Sequence, residues 1–357
     1  MNFDYNEEQQ LLADSVRRFL AKEYDFEARK KIVASEEGCS PRVWATFAEM
    51  GLTGLPFSPD YGGFGGGAID LLGVMEAFGE VLVVEPYLAT LMAGQVVARS
   101  EQAKSVLPAV VEGKMKLAFA HAEKAARYQL DFVKATAKKA GDAWTLEGEK
   151  SGVVGAPMAD KLVVSAKTAD GIHLFLADNP GAQAYRTMDG MRAADVVFKG
   201  TRAQALGGGL PLIEEVTDFA TALICAEAVG AMKFACDTTL EYLKTRKQFG
   251  VPIGTFQALQ HRMVDMFIAY EQAKSMACLA CSKIDSATDA TDSARAVSAA
   301  KIKIADNARH VSQESVQLHG GMGMTEELKI SHAFRRLTVL AGQFGDADHH
   351  LARFASL

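Results

Sequence analysis

The chain has 357 residues, 49% of them hydrophobic, and a formal net charge of -6 with lysine and arginine interspersed among the acids. That length supports two or three domains around a large buried core, and with no basic run to meet phosphates, nucleic acid is not expected as a partner. The start, MNFDYNEEQQLLADSVRRFL, is acidic and amphipathic rather than a signal peptide, and no apolar run reads as membrane-spanning; a cytoplasmic protein without a membrane span is expected.

Residues 1–114 read as a helical domain. EEQQLLADSVRRFLAKEY, PRVWATFAEMGL and AIDLLGVMEAFGEVL each space their apolar residues at a helical period. Pro41 after Ser40 suits a helix start. Between the second and third of these runs, GLPFSPDYGGFGGG has glycines but no following Gly-Lys-Ser/Thr, so it reads as a turn or substrate-side loop rather than a phosphate-binding loop. Over 115–207 the pattern changes to short, partly alternating runs: KLAFAHAE, FVKATAKKAG, AWTLEGEKSGVV, DKLVVSAKT, GIHLFLAD and ADVVFKG. Strands at this spacing predict a small antiparallel barrel or sandwich.

From 208 to 357 the helical pattern returns in long segments rich in small residues, as in a four-helix bundle whose faces also meet other subunits. Helices, then strands, then a bundle is an α+β order. Cys278 and Cys281 form a lone C-x-x-C with no second ligand pair, and the five cysteines read as small core residues. His349 and His350 read as a solvated end, and His319 as a brace for the adjoining glycine turn. Glu241 with Lys244, and Glu326 with Lys329, suit ion pairs on helix surfaces.

Two motifs carry the chemistry. YLKTRKQFGVPIGTFQALQH, residues 242–261, holds Arg246, Phe249 and Gln257 around a Gly-Val-Pro-Ile-Gly break; QLHGGMG holds Gln317, Gly320, Gly321 and Gly323. Taken singly, Arg246 is a helix-end cation and the paired glycines a helix stop. Together, in this order and with YGGFG at 61–65, they resemble the acyl-CoA dehydrogenase family over essentially the whole chain, and within it the small subunits of heteromeric members such as pimeloyl-CoA dehydrogenase.

The resemblance implies FAD lying across a subunit interface, with the β-domain of one chain on the flavin ring and the bundle of its neighbour on the ADP half. Arg246, Phe249, Gln257, Gln317, Gly320 and Gly321 are then cofactor-binding. A guanidinium suits a pyrophosphate because it donates in pairs and stays charged. Glycines let backbone approach the phosphates, and a glutamine both donates and accepts toward ribose or adenine.

The family's chemistry is removal of an α-proton by a carboxylate and of a β-hydride by the flavin. Phe344 stands where the family's Glu-Gly-Thr base would be, with Gly345 kept and Asp346 in the Thr position. The other position used for a base is Ala220, near Asp218, and the family's CoA-side Arg is Thr221. The Thr-Glu-Pro-x-x-Gly-Ser segment that bonds the flavin ring reads Ala122 to Tyr128 and keeps Glu123 alone, with His121 also on that side. The Trp-Ile-Thr segment reads Gly152-Val153-Val154, although the Gly148-x-Lys150 lead-in is intact. Residues offered to a neighbour's FAD are kept and those for the chain's own are lost.

The expectation is therefore a heteromer with a larger acyl-CoA dehydrogenase subunit that brings the catalytic Glu, an acyl-CoA substrate, and an electron-transfer flavoprotein as acceptor. Two alternatives stay open: a self-sufficient dehydrogenase using Asp346 as a shifted base, and a non-catalytic acyl-CoA-binding or scaffold chain of the same fold.

Overall fold

The structure, a computed structural model, describes residues 5–141 and 143–357; the first four residues of the amphipathic start and Asp142 lie outside the described residues. Six helices come first: α1 (Glu7–Glu23), α2 (Phe26–Ala34), α3 (Pro41–Glu49), α4 (Ala68–Val81), α5 (Tyr87–Ala98) and α6 (Ala103–Val111). Seven strands follow: β1 (Leu117–Ala120), β2 (Thr136–Ala140), β3 (Ala143–Val154), β4 (Lys161–Thr168), β5 (Gly171–Asp178), β6 (Ala182–Arg186) and β7 (Arg192–Gly207). The chain ends with α7 (Leu210–Thr245), a two-stranded hairpin of β8 (Lys247–Gln248) and β9 (Val251–Pro252), then α8 (Gln257–Ser286), α9 (Ala290–His319), α10 (Lys329–Gly342) and α11 (Ala347–Ser356). This is the α+β order read from the sequence.

Two compact units form, each from separated segments. One gathers Met1–Arg29, Ala68–Val83 and Thr221–Leu357; the other gathers Lys30–Gly67 and Val84–Ala220. In the first, α4 crosses α7 at mutual glycines. A Cβ at Gly79 would stand 1.9 Å from Glu227 O, and one at Gly230 would stand 1.9 Å from Glu76 O, so the backbones touch where any larger residue would force them apart. Asp285 of α8 accepts from Ala68 N and Ile69 N at 2.8 Å and caps the start of α4. Arg29 and Lys329 donate to Leu82 O and Glu80 O at its negative end. Arg336 grips Glu227 with two bonds of 2.6 and 2.7 Å inside the bundle.

Of the two surface ion pairs expected, Glu241 and Lys244 meet at 2.7 Å. Glu326 instead takes Arg335 in a fork of two 2.9 Å bonds, because Lys329 turns inward to α4. The absence of a membrane-length apolar run also needs correcting. Within α7 an 18-residue window has mean hydropathy 1.5, long and apolar enough to cross a membrane by composition, and 89% of it is buried inside the protein. A helix apolar all round is what the centre of a bundle requires.

In the second unit, β4, β2, β3, β7 and β5 pair in a closed ring, since β5 pairs back to β4. All these pairings are antiparallel except β2 on β4; β1 lies parallel on the same edge of β4, and β6 pairs with β7. Alternate residues (Leu146, Leu162, Val164, Phe175, Val196, Phe198) fill the interior. The Gly-rich stretch after α3 is hydrogen-bonded, with Phe64 N donating to Gly54 O and Gly65 N to Phe57 O.

Candidate functional site

The motif residues lie at two helix ends. α7 stops at Thr245, and Arg246 follows, its N–H donating to Tyr242 O at 2.8 Å. β8 and β9 then make a two-residue turn with Phe249 at φ +54° and Gly250 at φ +81°. Two positive φ values define the tight hairpin turn that matches strand twist, and Asn or Gly is its usual first residue. A phenylalanine there is strained, and its side chain is 92% exposed, meeting Phe256 edge-on at 6.1 Å. Strain held on an exposed aromatic points to use rather than packing. The hairpin delivers the chain to Gln257, first residue of α8, whose N-terminus has no side-chain cap. Free N–H groups there carry the positive end of a 30-residue helix. Arg246 is exposed and makes no ion pair among the described residues.

The second end is the close of α9. Gln317 is exposed, and Gly320 turns the chain at φ +62°, ψ -146°, a conformation that glycine alone adopts readily. A Cβ added at Gly320, Gly321 or Gly250 would meet nothing within 4 Å. The backbone is therefore bare on the outside, as a phosphate-binding surface requires. Gly323, in contrast, is packed: a Cβ added there would stand 2.6 Å from Val316 O. His319 is buried beside the turn, with Nδ1 2.7 Å from Ser315 O, and stacks on Tyr242 at 4.4 Å and 27°. That stack joins the end of α7 to the end of α9. The sequence marked His319 as a brace; nothing in it marked Tyr242.

The barrel end differs. Glu123 and Lys150, the residues kept there, are spent on each other: Lys150 Nζ donates to Glu123 Oε1 at 2.9 Å, His121 O at 2.9 Å and Ser165 Oγ at 3.0 Å. Glu123 also accepts from Lys134 N and Ala135 N. Burial alone would raise the Glu123 carboxyl, but the Ala135 N–H and the Lys150 ammonium hold it below its ordinary value. At Ser151 and Gly152 strand β3 bulges, the register on β7 shifting between Lys150 and Val153. Gly152 N and Tyr185 Oη both donate to Asp195 Oδ1, at 3.0 and 3.2 Å. A glycine bulge over a carboxylate does not fit a flavin ring, which calls for a flat partner and edge donors.

Sequence models of the acyl-CoA dehydrogenase N-terminal and C-terminal domains match residues 6–114 and 207–355. The Mycolicibacterium smegmatis protein named acyl-CoA dehydrogenase IpdE2 is 30% identical over 349 residues, covering 98% of both chains. The chain belongs to the acyl-CoA dehydrogenase family. Among solved structures, a Tcur3481-Tcur3483 steroid ACAD variant matches with TM-score 0.91 at 27% identity, covering 98% of this chain and 97% of that one. PigA with FAD and proline matches with TM-score 0.90 at 27% identity, covering 100% and 98%.

Phe344, which the resemblance to acyl-CoA dehydrogenases puts at the position of the base, lies in the elbow between two helices. Phe344 sits at φ +60° between α10 and α11, followed by Gly345 at φ +121°. Lys301, buried, donates to Leu340 O and Ala341 O and holds the end of α10. Asp346 is the N-cap of α11, accepting from His349 N at 2.9 Å, so its carboxylate already serves the helix. Ala220 is fully buried in α7, as is Thr221, and Asp218 is nearly so.

The solvated His349-His350 end is corrected for His350. That ring is buried, with Nε2 3.1 Å from Phe344 O and Nδ1 3.4 Å from Ser298 Oγ. Burial, with the Lys301 cation nearby, lowers its pKa to about 3, and burial lowers that of His121 to about 4. Both folded values lie below the unfolded one, so the stability these groups contribute is present above about 6.5 and lost as pH falls toward the folded values. Between pH 7.5 and 5.0 each is expected to cost about 2 kcal/mol of unfolding free energy. Urea melts at the two pH values check this; equal midpoints would mean that both rings protonate freely in the folded protein.

Proposed function

We propose that this chain is one subunit of a flavin-dependent acyl-CoA dehydrogenase and that its bundle supplies the ADP-binding half of an FAD site completed by a larger partner subunit. One contrast carries the reading. Groups suited to a dinucleotide held by another chain (Arg246, the bare glycines, the uncapped start of α8) are exposed and unspent, while Glu123 is consumed in the barrel core and Phe344 stands at the base position.

FAD, when bound, supplies the acceptor for the β-hydride of an acyl-CoA thioester. This chain's share is binding. Arg246 meets pyrophosphate oxygens through paired N–H groups, with the positive end of α8 adding to the field. Gln257 and Gln317 donate to and accept from ribose and adenine, and Phe249 packs against the cofactor or its protein bed. The α-proton goes to a glutamate of the partner subunit, a contribution of about a hundred- to ten-thousandfold that this chain, with Phe344, lacks. An electron-transfer flavoprotein is the proposed acceptor of the electrons, and a cytoplasmic location is proposed with it. A solved relative that carries two joined names, Tcur3481-Tcur3483, supports an assembly of unlike chains.

The test is FAD content. The chain is co-expressed with the larger acyl-CoA dehydrogenase subunit encoded nearest to it, and flavin absorbance is read against protein. One FAD per pair, and none on this chain alone, is expected. FAD held by this chain alone with normal turnover would defeat the proposal and make Asp346 the first candidate base; no flavin in either preparation would favour a scaffold.

A further inference from the structure

The geometry points to Tyr242 and His319 as a positioning pair that locks the two halves of the dinucleotide clamp in register. The inference rests on the functional reading above and extends it to two residues that touch no cofactor atom.

His319 is an unusual group to bury, since an imidazole loses its water unless a partner replaces it. Its partner is Ser315 O, 2.7 Å from Nδ1, on the preceding turn of the same helix. A carbonyl only accepts, so Nδ1 carries the proton, and both the tautomer and the tilt of the ring are set by α9 itself. Burial keeps the ring neutral, the Ser315 carbonyl opposing this only in part. A neutral ring adds no second cation beside Arg246, and its face is free to stack on Tyr242, at 4.4 Å and 27°.

Both sides of the stack lead directly to the proposed contacts. Just past the end of α7, Arg246 lies one turn beyond Tyr242, its N–H bonded to the Tyr242 carbonyl. On α9, Gly320 follows His319 immediately, and the turn folds back so tightly that a Cβ at Gly323 would be 3.1 Å from His319 Cβ. The guanidinium and the bare glycines come from segments more than seventy residues apart, and each is exposed, with the Tyr242–His319 stack beside both. A pyrophosphate needs both at one spacing, and misplacement by about an ångström is costly in such sites.

The experiment measures FAD release on dilution, by recovery of flavin fluorescence, from the co-expressed heteromer, with the thermal midpoint of each variant recorded beside it. His319→Ala removes the stack and is expected to speed release roughly two- to tenfold, the range of an aromatic pair. His319→Phe restores a ring without the Ser315 bond and should recover most of the loss. Val311→Ala, a fully buried truncation elsewhere on α9, tests for general softening and should leave release slow at a similar drop in thermal midpoint. Release at the native rate from His319→Ala, where Arg246→Ala releases quickly, would overturn the positioning role and leave the clamp standing. Equal acceleration by Val311→Ala would overturn it too. If Arg246→Ala itself has no effect, the clamp falls and the positioning role with it.

Discussion

Arg246→Ala is expected to weaken FAD retention in the assembled heteromer by about ten- to a hundredfold, the worth of hydrogen bonds to a charged group, while the chain folds as before. The side chain is exposed and ion-paired to nothing among the described residues, so its removal costs the fold little. What is lost is a pair of N–H donors at the end of α7, which the Tyr242–His319 stack joins to the end of α9. Arg246→Lys keeps the charge but not the fork, and should fall between native and alanine. The measurement is the FAD dissociation constant at two salt concentrations. Native affinity should fall as salt rises and that of Arg246→Ala should fall less, because the screened cation is gone. Native retention in the alanine variant would sink the clamp.

The long bundle helices were legible because their apolar positions repeat over thirty residues, and the strands of the barrel because their runs end in turn residues. Less was legible where period carries no information. α5 is apolar on nearly every side, buried among its neighbours, so its run has no preferred face to detect. β6 is the reverse: AQAYR is mostly exposed and shows no alternation of buried positions. Arg246 and Gly320 could be singled out as candidates because each belongs to a motif with fixed offsets. Tyr242 could not, because its meaning comes from a residue 77 positions away that the fold sets against its ring. His350 misread as solvated for the same kind of reason. Two histidines near a chain end look wet until Phe344 O and Ser298 Oγ are brought to them.

The hardest residues to read were Glu123 and Lys150, kept in segments that otherwise depart from the family pattern, and they lead to the second large effect. Lys150→Met is expected to cost about 3–5 kcal/mol of unfolding free energy, the toll of leaving one member of a buried ion pair alone. Glu123 would keep the N–H groups of Lys134 and Ala135 but lose its cation, while His121 O and Ser165 Oγ would lose their donor. Adding Glu123→Leu removes the stranded charge, so the double variant should regain part of the loss. It cannot regain all, because the Ala135 N–H that the carboxylate accepts from would then be buried without that partner. The double-mutant cycle, read by urea unfolding at pH 7.5, thus separates two roles. A small coupling would mean that the pair is wet and that Glu123 is held for something other than the core. A coupling of several kcal/mol would mean that packing alone accounts for both residues, and that their survival says nothing about a flavin on this chain's own barrel.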